Sequence, residues 1–167
     1  MTPELIDLVQ ESFAKVKPIA PQAGALFYKN LFQLAPELRP LFKEDVSDQG
    51  RKLMDMLAVA VGMLRQPQRL TEAVAQLGTR HAAYGVKEEH FKPVGEALIM
   101  TLEQGLGDAF TPQVKMAWVT LYKELTAIMG DSLRVAIERK QAAQLRATLA
   151  SRQKALPWWR RWFSFGR

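Results

Sequence analysis

The stretch LGTRHAAYGVKEEHF, residues 77–91, contains both histidines of the chain, His81 and His90. Leu77 and Val74 precede His81 by one and two helical turns, so its imidazole is expected to emerge from an apolar helix face. An imidazole without a partner on such a face costs about 1 to 3 kcal/mol. A metal at one ring nitrogen, with the other N–H donated to a backbone carbonyl one turn earlier, would satisfy both nitrogens. A hydrogen bond from another protein group could also satisfy the imidazole, without any metal.

His90 follows two carboxylates just before a helical run, which is typical of a solvated residue at a helix start. Nine residues separate it from His81 and Gly85 lies between them, so the two do not form a zinc-binding pair on one helix face. The chain has no cysteine, which excludes disulfides, thiolate zinc sites and iron–sulfur clusters. If His81 binds a metal, it is expected to be the only protein ligand. Haem needs only one, because the porphyrin supplies four nitrogens.

The composition indicates one compact domain, because 167 residues at 48% hydrophobic can bury a substantial core. The N-terminal MTPELIDLVQ carries carboxylates where a signal peptide carries positive charge, and no apolar run is long enough to span a bilayer. A cytoplasmic protein is therefore expected. The net charge is +6, but residues 131–167 hold nine Lys/Arg against two acidic residues, so the first 130 residues carry −1. The basic character belongs to the C-terminal part.

Helical periodicity runs through almost the whole chain, and an all-α fold is predicted. Thr2-Pro3 and Thr111-Pro112 each resemble an N-cap followed by proline at the first helical position. About seven helices are expected, separated by prolines and glycines, with a polar loop at KEDVSD, residues 43–48. Helices are predicted at about residues 49–64, 70–83 and 91–106.

Three segments together resemble the globin family, specifically neuroglobin-like proteins and single-domain bacterial haemoglobins. They are ALFYKNLFQLAPELRPLF (25–42), QGRKLMDML (49–57) and the run from LGTRH to LYKEL (77–125). They occur in the family's order and at its separations, and the resemblance covers about residues 3–130. It implies a globin fold, a three-over-three helical sandwich, with a globin domain at 1–130 and a C-terminal extension at 131–167. It also implies haem b as the cofactor.

The resemblance assigns a role to each matching position. His81 falls on the proximal iron ligand, and Phe42 on the phenylalanine that stacks on the haem. Gln49 occupies the distal position, Tyr28 faces the bound gas, and Leu53 packs over it. The remaining cofactor-binding positions are Lys52, which commonly reaches a haem propionate, and the apolar Leu77, Val86, Phe91 and Val94. As an alternative, Lys52 is an ordinary solvent-facing residue and the four apolar residues are core.

Tyr28 with Gln49 resembles the distal pocket of flavohaemoglobins and single-domain bacterial haemoglobins, and differs from the histidine of neuroglobin. A dioxygen ligand carries partial negative charge, so a phenol O–H and an amide N–H supply two donors. Each bond contributes on the order of 1 kcal/mol, enough for two to slow dissociation roughly tenfold. The alternative for Tyr28 is a buried aromatic residue whose hydroxyl bonds a carbonyl.

Two departures from the flavohaemoglobins bear on activity. Only 37 residues follow Gly130, so no reductase domain is expected after the globin. Phe91 stands ten residues after His81, where those proteins have a tyrosine tied to the proximal histidine. The resemblance implies reversible binding of O2, and of CO and NO. One alternative is a nitric oxide dioxygenase served by an external reductase. Another is a haem-based redox or gas sensor, or a haem-free interaction module, although the latter generally lacks the proximal histidine.

The C-terminal extension carries a narrow apolar stripe, Leu133, Ile137, Leu145 and Leu149, that predicts a last helix reaching about Lys154. LPWWRRWFSFGR follows, with five aromatic residues among its last ten. Interleaved aromatic and basic residues suit the headgroup region of a bilayer, so contact with the inner face of the membrane is one hypothesis. A disordered tail, or one folded back on the body, is equally compatible; nucleic acid is less favoured. The candidate membrane-contacting residues are Trp158, Trp159, Arg160, Arg161, Trp162 and Phe163.

Overall fold

Six α-helices form most of the chain in the computed structural model, which describes residues 1–42 and 45–155, with side chains as far as residue 152. They are α1 (Pro3–Val16), α2 (Ala20–Leu34), α3 (Val46–Gly62), α4 (Pro67–Ala83), α5 (Phe91–Leu106) and α6 (Pro112–Ala155). Short 3-10 helices lie at Lys17–Ile19, Pro36–Leu41, Glu88–His90 and Gly107–Ala109. No strand occurs in the described ranges, and the all-α prediction is confirmed. The proline-rich stretch after α2 forms a 3-10 helix, which leaves six α-helices where about seven were predicted.

Side-chain caps fix where several helices begin. The Thr2 hydroxyl accepts from the Leu5 N–H at 3.4 Å, and the Thr111 hydroxyl from the Val114 N–H at 3.3 Å, as the two Thr-Pro signatures predicted. Asp45 provides a third cap, since its carboxylate accepts from the Ser47 N–H at 2.7 Å. The prediction of a loop through residue 48 is therefore wrong at its C-terminal end, because α3 already begins at Val46.

The helices pack as two layers of three, the predicted globin arrangement. α1, α3 and α4 lie over α2, α5 and α6, with the main inter-layer packing at α4 against α6, α2 against α3 and α1 against α6. The largest fully buried side chains are Trp118, Leu31, Leu121, Leu133 and Val9. Trp118 donates its indole N–H to the Ser12 hydroxyl at 2.9 Å, which ties α6 to α1 in the interior.

The crossing of α2 and α3 depends on two glycines. A Cβ added at Gly24 would lie 2.8 Å from the Cα, carbonyl carbon and oxygen of Gly50, and one added at Gly50 would lie 3.0 Å from the Gly24 carbonyl carbon. Only glycine at both positions permits this approach of the two backbones. The crossing sets the distance between Tyr28, one turn after Gly24, and the residues that flank Gly50.

The last helix extends well beyond the packed body. α6 is 44 residues long, about 66 Å at the α-helical rise, and it passes residue 130 without a break. All side chains from residue 138 to residue 152 are exposed. The division into a domain at 1–130 and an extension at 131–167 stays a prediction. Residues 158–163, the candidate membrane-contacting tail, lie outside the described residues. Within those described, no helix combines the length and apolar character needed to cross a bilayer.

Candidate functional site

His81 lies near the C-terminal end of α4, with its side chain half-buried. Its Nδ1 is 2.9 Å from the carbonyl oxygen of Leu77, one turn earlier. A carbonyl only accepts hydrogen bonds, so Nδ1 carries the proton and Nε2 keeps its lone pair. Burial lowers the pKa of His81 below its usual range, which outweighs the opposing effect of the Leu77 hydrogen bond. The imidazole is therefore a neutral, oriented ring with one nitrogen ready to act as a ligand.

The half of α4 that carries His81 packs mainly against α6. Val74 and Ala82 of α4 are buried, as is Leu133 of α6, yet none of the three belongs to the large apolar cluster built by the other helices. Gly78 fixes this attachment, because a Cβ there would lie 2.5 Å from the Met129 carbonyl oxygen and would overlap the Ser132 hydroxyl. The part of α4 that carries His81 therefore packs on α6 outside the main apolar cluster.

The predicted apolar pocket residues fall into two groups according to what they pack against. Leu77, Val86 and Phe91, on the His81 side, are half-buried and outside the main cluster. Leu53 and Val94 are also half-buried, and they pack against the main cluster. All five side chains thus keep apolar surface that a further group could cover.

The chain turns sharply after His81 and approaches the segment before α3. Gly85 has φ +81°, and the Val86 N–H donates to the His81 carbonyl at 3.1 Å. A Cβ at Gly85 would lie 4.0 Å from the Leu41 side chain. The loop after α4 thus lies beside the 3-10 helix that ends just before Phe42.

Tyr28 and Phe42, two of the predicted site residues, are in direct contact, with ring centroids 5.1 Å apart in an edge-on arrangement. Phe32 contacts both rings at 5.7 Å and carries the Arg39 guanidinium 4.7 Å above its own face. This cluster orients Tyr28, whose side chain is 4% exposed.

The Tyr28 hydroxyl donates to no atom of the described residues. The alternative interpretation, in which this hydroxyl bonds a backbone carbonyl, therefore does not match the structure. Every fully enclosed side-chain nitrogen and oxygen in the described part of the chain has a partner. The hydroxyl must therefore keep some accessible surface although its ring is buried. Burial raises the pKa of Tyr28 to about 12, so the phenol retains its proton and remains a donor.

The other predicted distal residues follow from the α2–α3 crossing. Gln49 immediately precedes Gly50 and is half-buried, and Leu53 follows Gln49 by one turn on the same helix face. Lys52 is exposed, which is compatible with a long side chain that extends along the protein surface. The structure thus brings Tyr28 and Phe42 into contact and places Gln49 and Leu53 on the neighbouring helix.

Two contacts on the other side of the site were not predicted. Tyr122 of α6 donates its hydroxyl to the Phe91 carbonyl at 2.6 Å, and its ring fits only because position 95 is glycine, where a Cβ would lie 2.5 Å from the ring. Arg134 pairs with Glu88 at 3.2 Å. Both contacts hold the segment between His81 and α5 onto α6. A glycine in the interior of a predicted helix was the available signal for the first.

His90 makes a local contact rather than a site contact. Its Nδ1 accepts from the Lys87 N–H at 3.2 Å within the 3-10 helix at Glu88–His90. The side chain is half-buried, so the expectation of a solvated residue is only partly met. Across the described ranges, no three His, Asp or Glu side chains cluster in a way that could hold a metal ion. One imidazole with an unprotonated nitrogen, close to half-buried apolar side chains, fits a haem group.

The chain also matches known proteins over most of its length. A family model for globins matches residues 25–129. The Vibrio cholerae flavohemoprotein is 29% identical over 146 residues, covering 85% of this chain and 37% of that protein. Neuroglobin of Tetraodon nigroviridis is 31% identical, covering 64% of this chain and 76% of neuroglobin. The chain therefore spans little more than a third of the curated flavohemoprotein's length.

Two solved structures have the same architecture. An engineered carbene transferase from Rhodothermus marinus, assigned as a nitric oxide dioxygenase, has a TM-score of 0.72 at 25% identity and covers 90% of this chain and 99% of its own. A bacterial globin from Campylobacter jejuni has a TM-score of 0.72 at 21% identity, covering 82% and 99%. With the family match over most of the helical body, these likenesses show that the chain belongs to the globin family, whose members bind haem.

Proposed function

We propose that the protein binds haem b through His81 and reversibly binds O2, with CO and NO as further ligands. The observation that carries this proposal is the hydrogen bond from His81 Nδ1 to the Leu77 carbonyl at 2.9 Å. It fixes the tautomer and leaves Nε2 as a ligand, the role that an orienting hydrogen bond performs for metal-bound histidines. Haem b would supply an iron with one coordination position open to a diatomic gas.

The half-buried apolar residues provide the contact surface for the flat faces of such a group. Leu77, Val86 and Phe91 lie on the His81 side, and Leu53 and Val94 lie on the side of the main core. Burial of apolar surface contributes about 25 cal/mol per Å², so these contacts account for most of the affinity in this proposal. In this proposal Phe42 would stack on the group, and Lys52 would pair with one of its acidic substituents.

Tyr28 and Gln49 would determine which gas is retained. The Tyr28 phenol is protonated, held by Phe42 and without a donor contact to the described residues, so its O–H is available to a ligand. The Gln49 amide would add a second donor from α3. Dioxygen gains from such donors because it becomes partly negative when bound, whereas CO gains much less. The arrangement favours retention of O2.

The experiment that tests the proposal is an absorption spectrum of the haem-reconstituted protein in ferric, ferrous and oxygenated states. His81→Gly is expected to lose the wild-type ferrous spectrum and to regain it when imidazole is added, since free imidazole fits the vacated space. His90→Ala is the matched control, because His90 bonds only locally, and it should leave the spectrum unchanged.

Two results would contradict the assignment. One is an unaltered spectrum in His81→Gly, which would mean that another residue holds the iron. The other is a six-coordinate ferrous spectrum in the wild type, since an internal ligand would then occupy the gas position. That second result would favour a haem-based redox or gas sensor.

A second candidate function is nitric oxide dioxygenation, in which O2, NO and one electron yield nitrate. It is supported by the Rhodothermus marinus neighbour, an engineered protein whose description names nitric oxide dioxygenase and which covers 90% of the chain, and by the Tyr28 and Gln49 donors. The electron would come from a separate reductase. NO consumption by the oxygenated protein with a generic reductant is the measurement, and a rate no faster than that of a myoglobin control would exclude a dedicated dioxygenase.

A further inference from the structure

The C-terminal part of α6 presents an apolar stripe that no other part of the described chain covers. Leu145 is 61% exposed, Leu149 54% and Val135 44%. At 100° per residue, Ala142 joins these three on one side of the helix. The prediction of a single stripe through Leu133, Ile137, Leu145 and Leu149 is wrong, because at 100° per residue Leu133 and Ile137 lie on the opposite side of α6 from the two exposed leucines. Leu133 is fully buried against the globin body.

Basic residues border the stripe on both edges. Arg139 and Arg146 are seven residues apart and lie along one edge, and Arg152 lies along the other, one turn after Leu149. None of these three arginines has an ion-pair partner among the described residues. At the same 100° per residue, Glu138 falls on this side of the helix between Leu145 and Leu149, so it ends the apolar face on its N-terminal side. Residues 139–152 contain no acidic residue, and over that range the face is apolar along its centre and cationic along both margins.

Nothing in the described chain covers this face, since every side chain from residue 138 to residue 152 is exposed. Helices with leucines along the centre of one face and arginines along its margins are typical of those that lie in the headgroup region of an anionic bilayer. The apolar side chains enter the acyl-chain boundary, and the guanidinium groups pair with lipid phosphates. Pairing of this face with a second copy of the same helix is less favourable, because it would bring arginines of like charge together.

We propose that α6 from Arg139 to Arg152 docks on the surface of an anionic phospholipid membrane, lying parallel to the bilayer plane. The face of Leu145 and Leu149 inserts into the headgroup boundary, and Arg139, Arg146 and Arg152 pair with lipid phosphates. The chain continues past Ala155 into LPWWRRWFSFGR, whose sequence extends the same combination of apolar and basic residues. In a cell this surface would be the cytoplasmic leaflet, which carries anionic lipid.

The test is co-sedimentation of the full-length, haem-loaded protein with vesicles of phosphatidylcholine alone or with about one third phosphatidylglycerol. The wild type is expected to bind the anionic vesicles and to be released by high salt. The double variant Leu145→Gln/Leu149→Gln should bind at least tenfold more weakly, and the triple variant of Arg139, Arg146 and Arg152 to Gln should lose on the order of a hundredfold. The matched control is Ala147→Gln/Ser151→Gln on the opposite side of the helix, which should bind as the wild type does.

The Soret band and helical circular dichroism of each variant, which should match those of the wild type, verify that the globin body is intact. Equal vesicle binding by the wild type and the leucine variant would overturn the proposal, because residues 156–167 alone would then explain binding. Binding of neutral and anionic vesicles to the same extent would also overturn it. So would a dimer in sedimentation velocity that the leucine variant breaks, since the stripe would then be an interface between copies.

Discussion

Replacement of Gly24 by alanine tests whether the α2–α3 crossing is as close as the structure shows. The new Cβ would lie 2.8 Å from three backbone atoms of Gly50, whereas ordinary contact begins at 3.4 Å, so the helices must move apart by about 0.6 Å. Backbone atoms cannot rotate away, and overpacking of this kind costs about 1 to 3 kcal/mol. Alanine recovers up to about 1 kcal/mol of helix propensity. We expect a net loss of about 1 to 2 kcal/mol and a Tm lower by about 2 to 8 °C.

Gly62→Ala is the matched control, because it makes the same chemical change in α3 where nothing lies within 4 Å of the added Cβ. Its backbone has no positive φ, so alanine fits and should stabilise the protein by about 0.4 to 1 kcal/mol. Thermal unfolding followed by far-ultraviolet circular dichroism measures both variants. The reasoning is refuted if Gly24→Ala is as stable as the wild type, or if the two variants shift Tm in the same direction.

Three further predictions concern single side chains. Tyr28→Phe should raise the O2 dissociation rate about fivefold or more, the equivalent of about 1 kcal/mol, and change the CO rate much less in stopped-flow measurements. Ser12→Ala should cost about 1 to 3 kcal/mol in urea unfolding, because it leaves the indole N–H of Trp118, which is 1% exposed, without an acceptor. Hydrogen bonds from the Ser47 hydroxyl and N–H lower the pKa of Asp45 below 3.8. The Asp45 cap therefore stabilises α3 above that pH and loses its effect as the pH falls through the lowered pKa, so Asp45→Ala should lower Tm at neutral pH and matter progressively less below about 3.8.

Local signals in the sequence predicted the helices well wherever a breaker marks the end. α5 was predicted and found at residues 91–106, because Gly107, with φ +54°, ends it. α4 begins at Pro67 rather than near Leu70, since proline suits the first helical position and the apolar periodicity starts only later. The polar composition of KEDVSD predicts a loop through residue 48, whereas the Asp45 side chain caps α3 and the helix begins at Val46.

The site was predictable to the extent that it depends on neighbours along one helix. The hydrogen bond from His81 to the Leu77 carbonyl follows from i and i−4 geometry, and the structure shows it. Two other contacts join residues far apart in the chain: that of Gly24 with Gly50, and the hydrogen bond from Tyr122 to Phe91. The hydrophobic periodicity of a sequence does not predict such long-range pairs. The functional roles of His81, Tyr28 and Gln49 rest on the resemblance to globins and stay predictions.

The continuity of α6 has a thermodynamic consequence. One helix holds the segment after His81, through Tyr122 and Arg134, and then becomes the exposed basic extension. A rigid element shared by two binding events links them, and linkage is reciprocal. If engagement of the extension shifts gas affinity by some factor, then occupancy of the gas site must shift the affinity of the extension by the same factor. A titration of one event therefore measures the coupling for both.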